Sequence, residues 1–237
     1  MTVDAAPCND VYRLGWDARD GEADGTRLRR AALVRALGLV ARSPEVVAEA
    51  ARRLDRFLGG EAAALEANLQ EPAVAMVARA GDARRFETFR ERYREETDPT
   101  FKRRYLLALA AFEDPELAGR ARGMALSEEV ALQDSAFFVA TLLSNRAARD
   151  PFWTTMRERW DAVEARVAGA PMLLRRVVEA IGQLPERRHL EEAEALLAAH
   201  PVEAAKQAVA QTLERMRQDI ELHERIRPAV GTWVASR

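Results

Sequence analysis

Apolar residues recur along this chain at intervals of three and four, the spacing that places side chains on one face of an α-helix. The clearest stripe consists of Val46, Val47, Ala50, Leu54, Phe57 and Leu58. Shorter stripes at 86–93 and 190–197, and a longer one from Val202 to Ile220, repeat the pattern. No segment sustains the period-two alternation of a half-buried strand. The chain is therefore predicted to be all-α, with about eleven or twelve helices of ~10 to 20 residues joined by short links.

Proline and glycine positions predict where these helices begin and end. Proline is tolerated at the first helical position because its missing N–H would be unpaired there, and a preceding Ser or Asp can cap the exposed donors. Seven pairs predict helix starts, namely Ser43-Pro44, Glu71-Pro72, Asp98-Pro99, Asp114-Pro115, Asp150-Pro151, Ala170-Pro171 and His200-Pro201. Glycines that follow apolar runs, at Gly59-Gly60, Gly81 and Gly169, predict helix ends.

The spacing of the predicted starts indicates a repeat of two helices. Starts roughly 27 to 36 residues apart correspond to antiparallel helix pairs, and stacked pairs of that size form an α-solenoid. No tetratricopeptide or ankyrin consensus is present, so the predicted fold is an irregular HEAT-like or armadillo-like array. We predict a lead-in and loop over residues 1–25, with an ordered stretch at 11–16 and a loop at 17–26, and a single helical-repeat domain over 26–237.

The composition excludes several classes of protein. The 36 Lys and Arg residues nearly balance the 38 Asp and Glu residues, so the formal net charge of -2 gives no general attraction to nucleic acid or to an anionic membrane. The single cysteine, Cys8, cannot form an internal disulfide, and no apolar run approaches the ~18 to 20 residues of a membrane span. We expect a soluble cytoplasmic protein, and frequent Ala and Arg favour a bacterial source.

Residues with catalytic potential are sparse. The three histidines are His189, His200 and His223. His223-Glu224 begins like the zinc motif H-E-x-x-H, but the second histidine is replaced by Arg227. No Gly-x-Ser-x-Gly elbow and no glycine-rich phosphate loop occurs. We predict that this chain has no catalytic residue, no metal ligand and no cofactor of its own.

Basic residues cluster at three places. The clusters are Arg27, Arg29 and Arg30, then Arg84-Arg85, and then Lys102-Arg103-Arg104. Acidic residues lie within a few positions of each cluster, which indicates ion-paired helix surfaces rather than the one-sign stripe that nucleic acid requires. We predict no nucleic-acid partner.

Three local patterns occur in an order that is found in a known family. They are Leu14-Gly15-Trp16 before an acidic loop and a helix at 28–33, Ala80-Gly81-Asp82 before Phe86 and the run 102–110, and Gln133-Asp134 before Asn145, Trp153 and Trp160. The last three residues keep intervals of eight and seven. From about Val11 to Trp233, the chain thereby resembles the C-terminal helical domain of the aminopeptidase N, puromycin-sensitive and endoplasmic-reticulum aminopeptidase family of zinc metallopeptidases. Ala148 stands where such relatives usually carry a glycine, so the turn there is expected to differ.

The resemblance implies a noncatalytic role. In such enzymes the zinc, the general-base glutamate and the carboxylates that bind the amino terminus lie on a preceding thermolysin-like domain. The C-terminal domain closes over that catalytic domain, encloses a chamber, limits substrate size and contacts the peptide beyond its first residues. The implied partners are the thermolysin-like domain of the same parent chain and peptide substrates. The parent is expected to remove N-terminal residues, and Met1 close to the domain start suggests an excised domain.

Six polar residues are candidates for peptide contacts, provided that the second helices of successive pairs line a groove. They are Lys102, Arg103, Arg104, Tyr105, Gln133 and Asp134. Surface ion pairs and a helix cap are the alternative roles for the same side chains. A different function for the whole chain also stays open, that of a stand-alone HEAT-like module whose concave face binds a partner helix or peptide.

The family residues Gly15, Trp16, Asn145, Trp153 and Trp160 are expected to be structural. Trp153 and Trp160 are seven positions apart on one predicted helix and so are expected to share a face, with core packing for both. Asn145 is expected to end the preceding helix in a left-handed conformation. Gln133-Asp134 are expected to cap that helix at its start.

Overall fold

The computed structural model describes residues 14–201 and 205–236. Over these ranges the chain forms twelve α-helices and no strand, which confirms the all-α prediction. The helices are α1 Asp24–Arg35, α2 Pro44–Leu58, α3 Ala67–Arg79, α4 Ala83–Glu95, α5 Pro99–Leu109, α6 Pro115–Met124, α7 Leu132–Ser144, α8 Arg149–Glu158, α9 Trp160–Val167, α10 Pro171–Ile181, α11 Arg187–Ala199 and α12 Lys206–Ala235. None of the described helices combines the length and apolar character that crossing a membrane requires.

Four of the predicted helix starts are confirmed. The first residues of α2, α5, α6 and α10 are Pro44, Pro99, Pro115 and Pro171. The Ser43 hydroxyl accepts the N–H of Val46 at 3.4 Å before α2. The Asp98 carboxylate accepts the N–H groups of Thr100 and Phe101 at 2.8 and 3.1 Å before α5. These side chains satisfy donors that the first helical turn leaves without intrahelical partners.

Two other predicted starts are wrong by a few residues. Pro72 lies inside α3, and Pro151 is the third residue of α8. The first-turn position of Pro151 is tolerated because the N–H groups of that turn have no carbonyl to bond. The start predicted at Pro201 borders residues 202–204, which lie outside the described part, and α12 is described from Lys206 onward.

The chain divides into two compact units, Met1–Asp114 and Pro115–Arg237. In the first unit, α3 packs against α1, α2 and α5, and α4 packs against α5. Helices two apart in the sequence are therefore neighbours, so α1, α3 and α5 form one row. Polar contacts have the same long reach, since Arg30 bonds Glu66, Arg79 bonds Glu113 and Arg104 bonds Gln70 across 36, 34 and 34 residues.

The second unit has a similar row, but it joins helices three apart as well as two apart in the sequence. Here α10 packs against α7, α9 and α12, while α7 packs against α8 and α11 against α12. Its long-range bonds span 36, 39 and 37 residues, from Arg166 to the carbonyl of Val130, from Trp153 to Glu192, and from Arg187 to Glu224. Long-range contacts in both units thus join helices that lie a similar distance apart in the sequence. The HEAT-like array over the whole chain and the single domain over 26–237 stay predictions.

Trp153 and Trp160 are both buried, as expected of core residues, but they do not share one helix. Arg159 leaves the helical conformation at φ -122° and ψ 30°, so α8 ends at Glu158 and α9 begins at Trp160. The expectation of a single face was therefore wrong. Trp153 donates its indole N–H to Glu192 at 2.7 Å, so its position is fixed by a polar bond as well as by packing.

Asn145 ends α7 as predicted, but not in a left-handed conformation. Its φ and ψ are -79° and 118°, which is extended backbone, so the left-handed prediction was wrong. Its carbonyl accepts the N–H groups of Ala148 and Arg149, and its side-chain oxygen accepts that of Ala147 at 3.0 Å. Ala148, in the turn between α7 and α8, is fully buried. The amide of Asn145 thereby builds the turn into α8.

The predicted cap at Gln133-Asp134 lies in the wrong place. The residue before α7 is Ala131, and its side chain makes no capping bond. Gln133 and Asp134 are the second and third residues of the helix, and Asp134 is buried there. A carboxylate in the first turn is still favourable because it faces the positive end of the helix dipole.

The lead-in segment is held by a buried arginine. Arg30, one of the basic cluster read from the sequence, donates to both carboxylate oxygens of Glu22 at 2.8 and 2.6 Å and to the carbonyl of Gly15 at 3.1 Å. This hydrogen-bonded guanidinium lowers the pKa of the Glu22 carboxyl. Gly15 has φ 64°, and Trp16 lies under Arg53 at 5.5 Å. The loop predicted over 17–26 is shorter than expected, since α1 begins at Asp24.

Gly81 is expected to resist even the smallest enlargement. A Cβ there would lie 2.6 Å from the Phe112 ring and 2.8 Å from the carbonyl of Val77, while the ring itself packs on Phe86 with centroids 5.2 Å apart. Gly81→Ala should therefore lower the free energy of unfolding by about 1 to 3 kcal/mol in urea denaturation. Gly123→Ala is the matched control, because Gly123 lies in α6 with open space around it and should gain roughly 0.5 to 1 kcal/mol. Equal losses at both positions would contradict the steric reason.

His189 is expected to make stability depend on pH. The ring is fully buried, and burial lowers its pKa, the effect of Arg188 being second. Below the ordinary histidine pKa of 6.5 the unfolded chain binds a proton that the folded chain resists, so the free energy of unfolding should fall as the pH drops from 7 toward 5.5. The measurement is urea denaturation at both pH values. His189→Gln should flatten this dependence, whereas His223→Gln, at an exposed position, should leave it unchanged.

Candidate functional site

The three histidines lie in three unrelated settings within the described part of the chain. His189 is buried with its Nε2 3.2 Å from Asp150. His223 is exposed on α12, and the adjacent Glu224 forms an ion pair with Arg187 at 2.6 Å. Glu224 of the partial zinc motif thus forms an ion pair between α12 and α11, and Arg227 lies one helical turn after His223.

One group among the described residues could hold a metal ion. Asp161 and Glu164 on α9 face His200 at the end of α11, with the His200 Nδ1 3.7 and 3.9 Å from the two carboxylates. The donor set suits a divalent ion, but the Asp161 side chain is 92% exposed and the group lies open to solvent. The geometry therefore supports no catalytic step here, and the zinc implied by the resemblance is not assigned to these residues.

The first four predicted contact residues lie on α5 and already have neighbours. Lys102 extends over the ring of Tyr93 at 5.4 Å, and Arg104 donates to Gln70 at 2.8 Å. Arg103 is half-buried and partnered. Tyr105 is buried, and burial raises the pKa of its hydroxyl.

The other two predicted contact residues lie on α7 in the second unit, where Gln133 is exposed and Asp134 buried. The predicted residues therefore belong to two groups, one on α5 in the first unit and one on α7 in the second unit. A role of either group in peptide binding stays a prediction.

A groove of about 720 Å³ lies within the second unit, between α7, α10 and α12. We call it the α7–α10–α12 groove. Apolar groups line it from Ala136, Phe137, Ala140, Ala180, Leu184, Pro185, Ile220 and Leu222, and polar groups from Arg176, Glu179, Gln183, Arg215, Asp219 and His223. Gly182 packs closely in this wall, since a Cβ there would lie 2.8 Å from the Arg215 guanidinium. A largely apolar wall with a few charges is typical of a binding site.

The charges of this groove are unequally engaged. Glu179 pairs with Arg175 at 2.8 Å, and its carbonyl accepts from Arg215 at 3.4 Å. Arg176 instead lies over the ring of Phe137 at 5.2 Å, and no carboxylate of the described residues pairs with it. Phe137 is 38% exposed on the groove side of α7. The groove therefore offers an uncommitted guanidinium beside an accessible aromatic face, which suits a carboxylate next to an apolar group.

None of the groove residues was predicted from the sequence to form a binding site, and His223 was considered only as part of an incomplete zinc motif. The one available signal was Phe137, an aromatic residue between Ala136 and Phe138 that falls off the buried face of α7. Arg176 carried no signal, because a lone arginine in an amphipathic helix is usually a solvated residue. The convergence of three helices 40 to 80 positions apart is a tertiary property that helix periodicity does not encode.

Comparison with known proteins agrees with the sequence resemblance. Residues 8–218 match the family described as the ERAP1-like C-terminal domain. Aminopeptidase M1-A of Oryza sativa subsp. japonica is 28% identical over 211 residues, covering 87% of this chain and 24% of that protein. Aminopeptidase M1 of Arabidopsis thaliana is 28% identical over 173 residues, covering 71% and 19%. The chain thus spans about a quarter or less of the length of these relatives. It belongs to the ERAP1-like C-terminal domain family.

Proposed function

We propose that this chain is the noncatalytic C-terminal domain of a zinc aminopeptidase, and that it closes over the catalytic domain to form the substrate chamber and limit peptide access. The observation that carries the proposal is the family match over 8–218, combined with relatives that carry the name aminopeptidase and are about four times longer. The zinc, the general base and the binding site for the peptide amino terminus belong to the preceding thermolysin-like domain. The parent acts in the cytoplasm on the N-terminal residues of peptides.

The α7–α10–α12 groove is the part of the chamber wall that we assign to the peptide. Arg176 supplies a cation for a peptide carboxylate, and Phe137 beside it supplies an apolar surface for a side chain. The groups on α5 and at the start of α7, which include Lys102 and Gln133, are further candidates for peptide contacts, each within its own unit. We assign these contacts to uniform binding of the peptide, which changes KM while kcat stays the same.

Adding the chain to the catalytic part of its parent should make trimming depend on peptide length. The catalytic part is prepared from the coding sequence upstream of Val11, where an H-E-x-x-H motif with a downstream glutamate is expected. An aminoacyl-arylamide and peptides of increasing length are then compared with and without this chain. Hydrolysis of the arylamide should change little, whereas trimming of the longer peptides should change with length because they extend into the chamber.

Two results would count against this function. An upstream sequence without a peptidase motif would contradict the proposal that the parent is an aminopeptidase. A catalytic part that does not bind this chain, and whose preference for peptide length does not change when the chain is added, would contradict the proposed substrate chamber. Either result would favour the stand-alone interaction module, whose ligand is a partner helix or peptide. Arylamide hydrolysis by this chain alone, lost on chelation, would contradict its noncatalytic role.

Arg176→Gln is expected to weaken the response to long peptides in the assembled enzyme. Loss of a charge-assisted bond to a peptide carboxylate costs about 1.5 to 3 kcal/mol, so KM for long peptides should rise at least tenfold while kcat and arylamide hydrolysis stay nearly constant. Arg146→Gln is the matched control, an exposed arginine of the same unit outside the groove. Equal effects of both substitutions would exclude the groove as the carboxylate site.

A further inference from the structure

Three side chains from two helices converge within the second unit. Asp161 and Glu164 lie three positions apart on α9, so both side chains project from one face of that helix. His200 follows the last residue of α11, where its backbone N–H bonds the carbonyl of Leu196 at 3.0 Å. One carboxylate oxygen of each acidic residue and the His200 Nδ1 all lie within 4.8 Å of one another. We call these three residues the α9–α11 cluster.

The spacing of the α9–α11 cluster is not that of hydrogen-bonded side chains. The His200 Nδ1 lies 3.7 Å from Asp161 and 3.9 Å from Glu164, beyond the ~2.7 to 3.2 Å of a hydrogen bond. Charged groups elsewhere in the same unit do close this gap, since the Arg188 guanidinium lies 2.7 Å from Asp150. The imidazole and the two carboxylates therefore converge without bonding one another, which is how ligands are arranged around a shared ion.

A divalent transition-metal ion fits between the three ligand atoms. With these separations, one point lies about 2.0 to 2.5 Å from all three, and zinc binds nitrogen and carboxylate oxygen at about 2.0 to 2.2 Å. Side-chain shifts of a few tenths of an ångström complete the fit. The two carboxylates supply two negative charges, which the ion neutralises. The imidazole favours zinc and similar ions over magnesium or calcium, which prefer ligand sets of oxygen alone.

No arginine or lysine among the described residues competes for the two carboxylates of the α9–α11 cluster. The contacts of Asp161 and Glu164 with a basic side chain are those with His200. By contrast, Glu224 of the same unit forms an ion pair with Arg187 at 2.6 Å. Two carboxylates on one helix face repel each other unless a positive charge lies between them, so the cluster gains from a bound cation.

A buried donor without a partner lies on the residue that packs against His200. The indole N–H of Trp160 is buried and has no acceptor among the described residues, and the rings of Trp160 and His200 have centroids 6.4 Å apart. Buried polar groups without a partner are rare, and a water or an ion that binds nearby is one recognised reason. The same packing restricts the imidazole, so less side-chain freedom is lost when an ion binds.

We propose that Asp161, Glu164 and His200 bind one divalent transition-metal ion of the zinc type, and that this ion joins α9 to the end of α11. Water completes the coordination of the ion. The side chain of Asp161 is 92% exposed and those of Glu164 and His200 are about one third exposed, so the affinity is in the micromolar range, below that of a buried four-ligand site. The ion is a structural brace, and it does not depend on the aminopeptidase role because all three ligands belong to this chain. The sequence predicted no metal ligand because no two histidines share one helix face, whereas these ligands come from two helices.

Calorimetric titration of the full, tag-free chain with zinc tests the site. A Cys8→Ser background removes the thiol as a competing ligand, and one zinc ion should bind per chain. His200→Gln and Glu164→Gln should each lower the affinity at least tenfold, because each removes one of three ligands. His223→Gln is the matched control, since this exposed histidine of the same unit lies outside the cluster and should leave the affinity unchanged. Magnesium should bind at least tenfold more weakly than zinc. Circular dichroism checks that the variants stay helical.

Thermal unfolding tests whether the ion braces the two helices. Saturating zinc should raise Tm by several degrees in the Cys8→Ser chain, because an ion that binds the folded state stabilises it by mass action. The rise should disappear in His200→Gln and persist in His223→Gln. Absence of zinc binding up to about 1 mM, or binding that survives His200→Gln but not His223→Gln, would overturn the proposal. Zinc binding without a rise in Tm, or magnesium binding as tight as that of zinc, would overturn it equally.

Discussion

Within each unit of the described chain, helices about 36 residues apart pack against each other. A single amphipathic pair cannot bury both of its apolar faces, so α3 packs against α1 and α5, and α10 packs against α7 and α12. Each unit is therefore stabilised by contacts between helices about 36 residues apart. A substitution that weakens one helix pair should also weaken the packing of its neighbour. The long-range hydrogen bonds, such as the one from Arg104 to Gln70, span a similar number of residues. They do so because they join side chains at the edges of helix faces that pack against each other.

This packing also decides which charges become structural. Arg30 was read from the sequence as one residue of a surface cluster, but it is buried with both nitrogens of its fork on Glu22. Removing one partner of such a pair strands a buried charge, which costs about 3 to 5 kcal/mol, far more than an exposed pair contributes. His189 and Asp150 likewise link α11 to α8 rather than forming a reactive site.

The sequence predicted the features that one helix determines by itself. A proline after a capping residue has the same local meaning anywhere, so Pro44 and Pro99 mark helix starts correctly. The break between Trp153 and Trp160 depends on how α8 and α9 pack, which periodicity alone does not reveal. Burial of the two tryptophans could be predicted, because it follows from their size, whereas the guanidinium of Arg176 over Phe137 required three helices to be placed.

Once the structural roles are assigned, few surfaces of the second unit remain uncommitted. Glu224 forms an ion pair with Arg187, and Glu192 accepts a hydrogen bond from Trp153. Both carboxylates therefore have structural partners. What remains is the α7–α10–α12 groove and the exposed apolar side chains of α12 after residue 220. The groove lies between three packed helices and has both charge and aromatic character, whereas the exposed part of α12 offers mainly apolar groups. A peptide is therefore better matched by the groove, because its carboxylate and an apolar side chain can both find a complementary group there.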